Sequence, residues 1–446
     1  MANITGTNGA DILTGTSGSD TIVGLAGDDR IIGSSGTDKI DGGAGNDTID
    51  YSSADTSLFL IPVANLVLNG IPGGPGFVEY VASYQNVETV IANPNQENYI
   101  EPPRRSSPGR RQEISNVDLV ANRVDFYSGS DVLQSLNVQN FNNVLGATRV
   151  VGNDRNNIIS ADTIIGSKGN DTLSARVVSS VLDYSNLGRA VKFSVDKRID
   201  ASDPIKFSVD ETIDKGNFGK DRIQGSRGFQ KIIGATNKGN TIDGSSSSSL
   251  DLNLATNSLK LTSVDNSVRQ IEVVNFVNAI GTNGNDKIVG ANKNSELTGG
   301  GGNDTITGGN KKDILTGTDS TARGVGEVDI LTGGGGRDKF ILGDTNGAYY
   351  VGKGNDDYAT ITDFNLFQDS ISIGSLKDYS FAAGGNNTIN LYSGKDVQTR
   401  DLVAKIQLAG GISTVNSIAR SLAGSSQNLD TIISKIDIIS GTNPTG

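Results

Sequence analysis

An aspartate followed two residues later by Leu or Ile returns at every ninth place near the start of this chain: Asp11, Asp20, Asp29, Asp38 and Asp47. Each is preceded by two glycines at fixed distance, Gly6, Gly15, Gly24, Gly33 and Gly42 in the first series and Gly9, Gly18, Gly27, Gly36 and Gly45 in the second. The chemistry on offer is all oxygen. Glycine admits positive φ and lets backbone carbonyls crowd inward, and the aspartate sets a carboxylate among them. Such a cage suits Ca2+, which takes oxygen ligands at about 2.3–2.6 Å.

The same aspartate returns downstream. A second array from Gly281 to Ile341 carries Asp286, Asp304, Asp313, Asp329 and Asp338, with Ser295 in one copy. It is interrupted by a seven-residue insertion, Gly317–Arg323. Position 4 departs from Gly at Lys293, Lys311 and Glu327, which predicts weaker ion binding in those loops. Between the arrays lie degenerate copies that keep Asp171 and Asp221 but hold Asn157, Gln230 and Asn240 in place of the acid. Those three predict coils held by amide hydrogen bonds rather than by metal.

Composition narrows the chemistry further. The 446 residues contain 58 Gly, 1 Met and no His, Cys or Trp. Without histidine there is no Ser-His-Asp or Cys-His machinery and no HExxH zinc motif. Without cysteine there is no disulfide framework. A net charge of −12 disfavours nucleic acid and anionic membranes and suits hard cations. The start, MANITGTNGADILTG, has no basic and apolar leader, and no run approaches a membrane span. The expectation is a protein without a transmembrane segment that leaves the cell by a route needing no cleaved leader.

The elements that must carry these loops follow from the nonamer. Positions 7 to 9 make a short strand whose middle residue faces inward, so stacked copies give an aliphatic ladder inside and a carboxylate ladder in the loops. Two nonamers per coil, with strands about 4.8 Å apart, build a thin body.

GGAGNDTID (Gly42–Asp50) and GGGGNDTIT (Gly299–Thr307) resemble the GGxGxDxUx repeat of RTX (haemolysin-type calcium-binding repeat) proteins. The resemblance implies a parallel β-roll with Ca2+ between successive loops, folding outside the cell, and type I export. The module layout is similar to that of cyanobacterial-type RTX surface proteins. It rests on a larger repeat that ends in Val87-x-x-Val90-Ile91-Ala92, Phe141-x-x-Val144-Leu145-Gly146, Phe229-x-x-Ile232-Ile233-Gly234 and Phe276-x-x-Ala279-Ile280-Gly281. Alternating segments upstream, such as Leu250–Leu254, read as half-buried strands. Asp50-Tyr51-Ser52-Ser53 and Asp183-Tyr184-Ser185-Asn186 form a further matching pair.

Two segments stand apart. Residues 101–113 gather Pro102, Pro103 and Pro108 with Arg104, Arg105, Arg110 and Arg111, an exposed loop, a basic contact for an acidic partner surface or polysaccharide, or a protease-sensitive site. After Ile341, DKFILGD, GNDDYATI and DFNLFQDSISI resemble the closing stretch of RTX proteins and imply strands of a C-terminal cap. Ile412, Val415, Ile418, Ala419 and Leu422 then fall at helical spacing, where the resemblance places the uncleaved export signal.

The expected fold is all-β: a parallel β-roll or β-helix solenoid with inserted β-excursions and a C-terminal β-rich cap. Its expected parts are an N-terminal array (1–50), β-excursions with the Pro/Arg loop (51–151), degenerate coils (152–280), a second array (281–341), and the cap with its export signal (342–446). The expected function is a non-enzymatic, calcium-dependent, secreted surface protein such as an S-layer, sheath or filament subunit. Only Met1–Thr5 precede the first nonamer, so that end is open to head-to-tail stacking on another copy. Cell-surface polysaccharide is a second expected partner. The alternative is a carbohydrate-binding module or a polysaccharide-acting β-helical enzyme, for which no catalytic constellation can be named.

Overall fold

In the computed structural model, the described residues are 1–54, 57–61, 66–69, 80–101, 113–128, 131–177, 179–188, 190–195, 207–211, 220–224, 229–262, 266, 268–373, 379–385, 387–394, 396, 398–409 and 436–438. Among them the regular structure is entirely β, with no helix. The basic loop of Arg104 to Arg111 and the helical spacing from Ile412 to Leu422 lie outside the described residues, as does the side chain of Asp221.

Position 8 of the nonamer organises the interior. Each strand pairs in parallel with the strand two nonamers on, so Leu13, Ile31 and Ile49 stand in one column and Ile4, Ile22 and Ile40 in another. Ile22, Ile31 and Ile49 are sealed from water, while Ile12, one place before position 8, is 74% exposed. The alternation is that of a strand with one buried face. Each buried aliphatic side chain contributes about 1.5–3 kcal/mol.

The chain divides into two compact units, Met1–Leu187 with Ile213–Lys231, and Gly188–Thr212 with Ile232–Gly446. The second unit repeats the pattern of the first. Ile288, Ile306 and Leu331 form one column, and Ala279, Leu297, Leu315 and Phe340 the other. Gly354–Ile361 and Asp363–Ile373, expected as cap strands, extend these ladders: Ile361 pairs with Leu331 and Ile371 with Phe340. Gly300 pairs with Thr318, so the inserted residues follow Gly317 and Thr318 within the loop instead of beginning at Gly317.

The stretches between nonamers are antiparallel meanders spliced into the parallel stack. Leu58–Ile61, Leu66–Asn69 and Tyr80–Gln85 pair in succession; the first also pairs in parallel with Tyr99–Ile100 and the last with Gly36–Asp41. This meander therefore enters on one ladder and leaves on another. Similar threesomes are Glu113–Asp118 with Arg123–Ser128 and Asp131–Gln139, Ser249–Asn253 with Ser258–Thr262 and Val268–Val274, and Tyr379–Gly385 with Thr388–Ser393 and Asp401–Leu408. The apolar signatures after them are core: Val87, Val90, Phe141, Val144, Phe229, Ile232, Phe276 and Ala279 are all buried.

The two nonamer glycines turn out to serve different ends. Position 4 takes a positive φ in some copies, 109° for Gly27 and 103° for Gly302, and position 2 does so in others, as at Gly43 and Gly300. Position 1 is needed for close approach instead, because a β-carbon on Gly24 would overlap both the Gly42 carbonyl oxygen and Asp29 Oδ2.

Candidate metal centres

In most of the described copies the position-6 carboxylate has two roles. One oxygen, Oδ1, accepts a backbone N–H from the loop one coil earlier. Asp11 donates to Asp29 at 2.8 Å, Asp20 to Asp38 at 2.9 Å and Asp29 to Asp47 at 2.8 Å. In the second array Asp286 donates to Asp304 at 2.8 Å, Ser295 to Asp313 at 2.7 Å, Asp304 to Asp329 at 2.7 Å and Asp313 to Asp338 at 2.9 Å. In a degenerate copy Asn157 donates to Asp171 at 2.8 Å. A buried amide at the head of each strand is thereby satisfied by a side chain.

The second oxygen, Oδ2, is satisfied differently from loop to loop. In Asp20, Oδ2 accepts from the Thr16 backbone at 2.6 Å and the Thr16 hydroxyl at 2.7 Å. Asp11 Oδ2 is held the same way by Thr7, whereas Asp286 Oδ2 accepts from the Thr282 amide and Asp313 Oδ2 from the Gly309 amide, the latter at 2.6 Å. In Asp29, Asp47 and Asp304 this oxygen is buried and has no hydrogen-bond partner. All three residues are at most 1% exposed. A buried carboxylate oxygen without a partner is costly, and such a group calls for a cation.

Carbonyl oxygens stand beside these carboxylates. The space against Gly24 is bounded by Asp29 Oδ2 and the Gly42 carbonyl, and that against Gly299 by Asp304 Oδ2 and the Gly317 carbonyl. At Gly42 the pair is Asp47 Oδ2 and the Asn86 carbonyl. Gly6, Gly281 and Gly308 repeat the arrangement with Asp11, Asp286 and Asp313 and the carbonyls of Gly24, Gly299 and Gly333. Among the described residues no three carboxylates converge as a metal cluster. A cation here therefore draws on carboxylate and carbonyl oxygens together, the donor set of Ca2+.

The electrostatics point the same way. Asp304 is pushed up to about 9, by burial first and, against the Asp286 N–H, by the carboxylates of Asp329, Asp286 and Glu327. Burial also raises Asp338 to about 7, with Asp369, Asp313 and Asp363 adding to it. Asp171, Asp286 and Asp329 rise to about 6, again through burial. The fold thus concentrates like charge that a bound dication would neutralise.

Asparagine solves the same problem without an ion. Asn240 Oδ1 accepts the Val191 N–H at 2.8 Å, and its Nδ2 donates to the carbonyls of Ala235 at 2.8 Å and Asn275 at 2.6 Å. Asn157 Nδ2 likewise donates to Asn142 at 2.8 Å. The amide N–H stands where a cation would meet carbonyls. Gln230 departs from the expectation: its side chain is exposed, and its backbone N–H donates to Ser180 at 3.1 Å.

Several members of this ladder were not read from the sequence. Glu88 accepts the Asp47 N–H at 2.7 Å, Asn98 that of Leu58 at 2.9 Å and Asp369 that of Asp338 at 2.9 Å. Glu327, read as a defect at position 4, instead accepts the Gly302 N–H at 2.9 Å through one oxygen and buries the other without a partner. No helix among the described residues is long and apolar enough to cross a membrane.

A family profile described as RTX calcium-binding nonapeptide repeat (4 copies) matches residues 5–39, 14–49, 159–176 and 280–318. No curated protein matches the chain. Among solved structures, that of extracellular lipase LipA from Serratia marcescens aligns at 13% identity over 97% of this chain and 39% of that one, with a TM-score of 0.16. The chain thus spans well under half of that lipase, and a likeness so slight carries no argument about either fold or activity. The loops themselves carry it: this chain bears RTX calcium-binding nonapeptide repeats, which are structural Ca2+-binding motifs rather than a catalytic domain.

Proposed function

We propose that the protein is a calcium-dependent, secreted structural or adhesive component of a cell surface, an S-layer, sheath or filament subunit. In this reading the stacked parallel coils are a β-roll solenoid, with the antiparallel meanders as its excursions. Ca2+ sits in the loops of Asp11, Asp29, Asp47, Asp286, Asp304 and Asp313, where a carboxylate oxygen faces a carbonyl across a glycine. The observation that carries the reading is the set of unpartnered, buried Oδ2 atoms of Asp29, Asp47 and Asp304.

Head-to-tail association is part of the proposal. Its support is the repeated stacking of coil on coil in one register, from Asn3–Thr5 on Thr21–Val23 to Thr21–Val23 on Lys39–Asp41, a contact that a second copy can continue. Sedimentation velocity and negative-stain electron microscopy, in millimolar Ca2+ and in chelator, test the whole. Calcium-dependent filaments or layers are expected; monomers of unchanged shape in both conditions would overturn it.

A further inference from the structure

In three loops the space beside the position-1 glycine is filled by a tyrosine. A β-carbon on Gly33 would overlap the Tyr51 ring, one on Gly166 the Tyr184 ring, and one on Gly317 the Tyr350 hydroxyl. These glycines head the loops of Asp38, Asp171 and Asp329. Tyr51 follows Gly33 by 18 residues, and Tyr184 follows Gly166 by 18, the same step that brings Gly42 onto Gly24. Tyr51 and Tyr184 therefore stand where the next coil would otherwise present a glycine and its carbonyl, while Tyr350 reaches Gly317 from 33 residues on. All three are buried, at 4%, 0% and 0% exposure.

The third case shows what the phenol does. Tyr350 donates its hydroxyl proton to Asp329 Oδ2 at 2.6 Å, taking the oxygen that in Asp29, Asp47 and Asp304 has no partner. At Tyr51 and Tyr184 the aspartate just before each ring fixes the turn, with Asp50 accepting from the Ser52 amide and Asp183 from the Ser185 amide, both at 2.8 Å. The repeated Asp-Tyr-Ser thus has a shared geometry: the aspartate sets the bend and the ring drops onto the glycine of the preceding coil.

We propose that Tyr51, Tyr184 and Tyr350 are stoppers of the calcium ladder, each filling the loop space an ion would take, so that the loops of Asp38, Asp171 and Asp329 are ion-free. The proposal rests on the reading of the unplugged loops as Ca2+ sites. It makes the number of ions a property of where tyrosine stands, not of how many aspartates the chain repeats.

Equilibrium dialysis of the full chain, with bound Ca2+ counted per chain, tests it. Asn keeps the Oδ1 acceptor and removes the charge, so Asp38→Asn, Asp171→Asn and Asp329→Asn are expected to leave the count unchanged. Asp29→Asn and Asp304→Asn are each expected to lower it by one. Tyr51→Gly restores the glycine of the regular repeat and is expected to raise it by one, while Tyr51→Phe keeps the plug and the count. Where Tyr51→Gly does not fold, the Asp→Asn series still decides. Loss of an ion in Asp38→Asn, Asp171→Asn or Asp329→Asn overturns the stopper role while leaving the calcium sites intact. A wild-type chain that binds no Ca2+ overturns the site reading itself, and the stoppers with it.

Discussion

The backbone N–H of Asp29 lies 2.8 Å from Oδ1 of Asp47, and the second oxygen of Asp47 has no partner at all. One carboxylate thus does two separable jobs: it closes the strand of the coil before it, and it leaves a charge-bearing oxygen for something else.

Replacing Asp29 by Asn keeps the acceptor for the Asp11 N–H, whereas Ala removes it. In chelator, Asp29→Ala is expected to cost about 1–3 kcal/mol, the penalty of an unsatisfied buried donor. Asp29→Asn in chelator is expected to be neutral or stabilising, since it also removes an uncompensated buried charge. In Ca2+ both variants lose stability relative to the parent. Urea unfolding in the two buffers checks the crossing of this order; identical ranking in both would contradict it.

The converse change is Asn240→Asp. It keeps the acceptor for Val191 but sets a carboxylate against the carbonyls of Ala235 and Asn275, which now receive the amide. The expected cost is about 3–5 kcal/mol in chelator, as for breaking a buried pair to leave one charge uncompensated. Ca2+ is expected to recover part of it, and thermal denaturation with and without the ion reads this directly. A variant as stable as the parent in chelator would sink the idea.

The interior columns should obey ordinary packing energetics. Leu331→Ala, at a fully buried position, is expected to cost about 2–5 kcal/mol. Ile12→Ala, at 74% exposure, should change stability by less than about 0.5 kcal/mol. Denaturant midpoints for the two variants give the comparison.

Acid sensitivity has a nameable contributor away from the loops. Burial pushes the Asp243 carboxyl up, but Lys192 Nζ at 2.6 Å and the Ser245 side chain and amide outweigh it, so the group lies below its usual value. Its folded pKa is therefore lower than its unfolded one, about 3.9. The stabilisation is present above about pH 4 and is lost as the pH falls through the folded pKa. Stability measured from pH 2 to 6 should show a shallower acid limb in Asp243→Asn than in the parent, and parallel curves would argue against it.

The repeat spacing made the position-8 core and the position-6 acids legible, because both are strictly local and periodic. What it hid depends on which residues the stacking brings together. Glu88 serves Asp47 across 41 residues and Asn98 serves Leu58 across 40, with a meander between, so no nonamer frame marks them. Glu327 looked like a damaged glycine position because sequence shows a missing glycine but not the Gly302 amide waiting one coil away. The glycine at position 1 was rightly seen as indispensable, for a reason only partly right: the neighbouring coil leaves no room for a β-carbon. Asp50-Tyr51 and Asp183-Tyr184 were visible as a pair, yet nothing in their letters says that the ring lies on a glycine 18 residues earlier.

The amide-to-carboxylate bond also has a direction. At position 6 the earlier loop donates and the later one accepts, from Asp11 and Asp29 through Asp313 and Asp338, whereas at position 5 the sense reverses, Asn46 donating back to Asp28 Oδ1 and Asn303 to Asn285 Oδ1. A cut between such coils would expose unlike faces, one with its N–H at position 6 and its acceptor at position 5, the other with the two exchanged. Each array is in this sense polar at the level of single hydrogen bonds. Two copies that meet end to end through these loops match donor to acceptor in one sense of travel only, so any fibre they make inherits a front and a back.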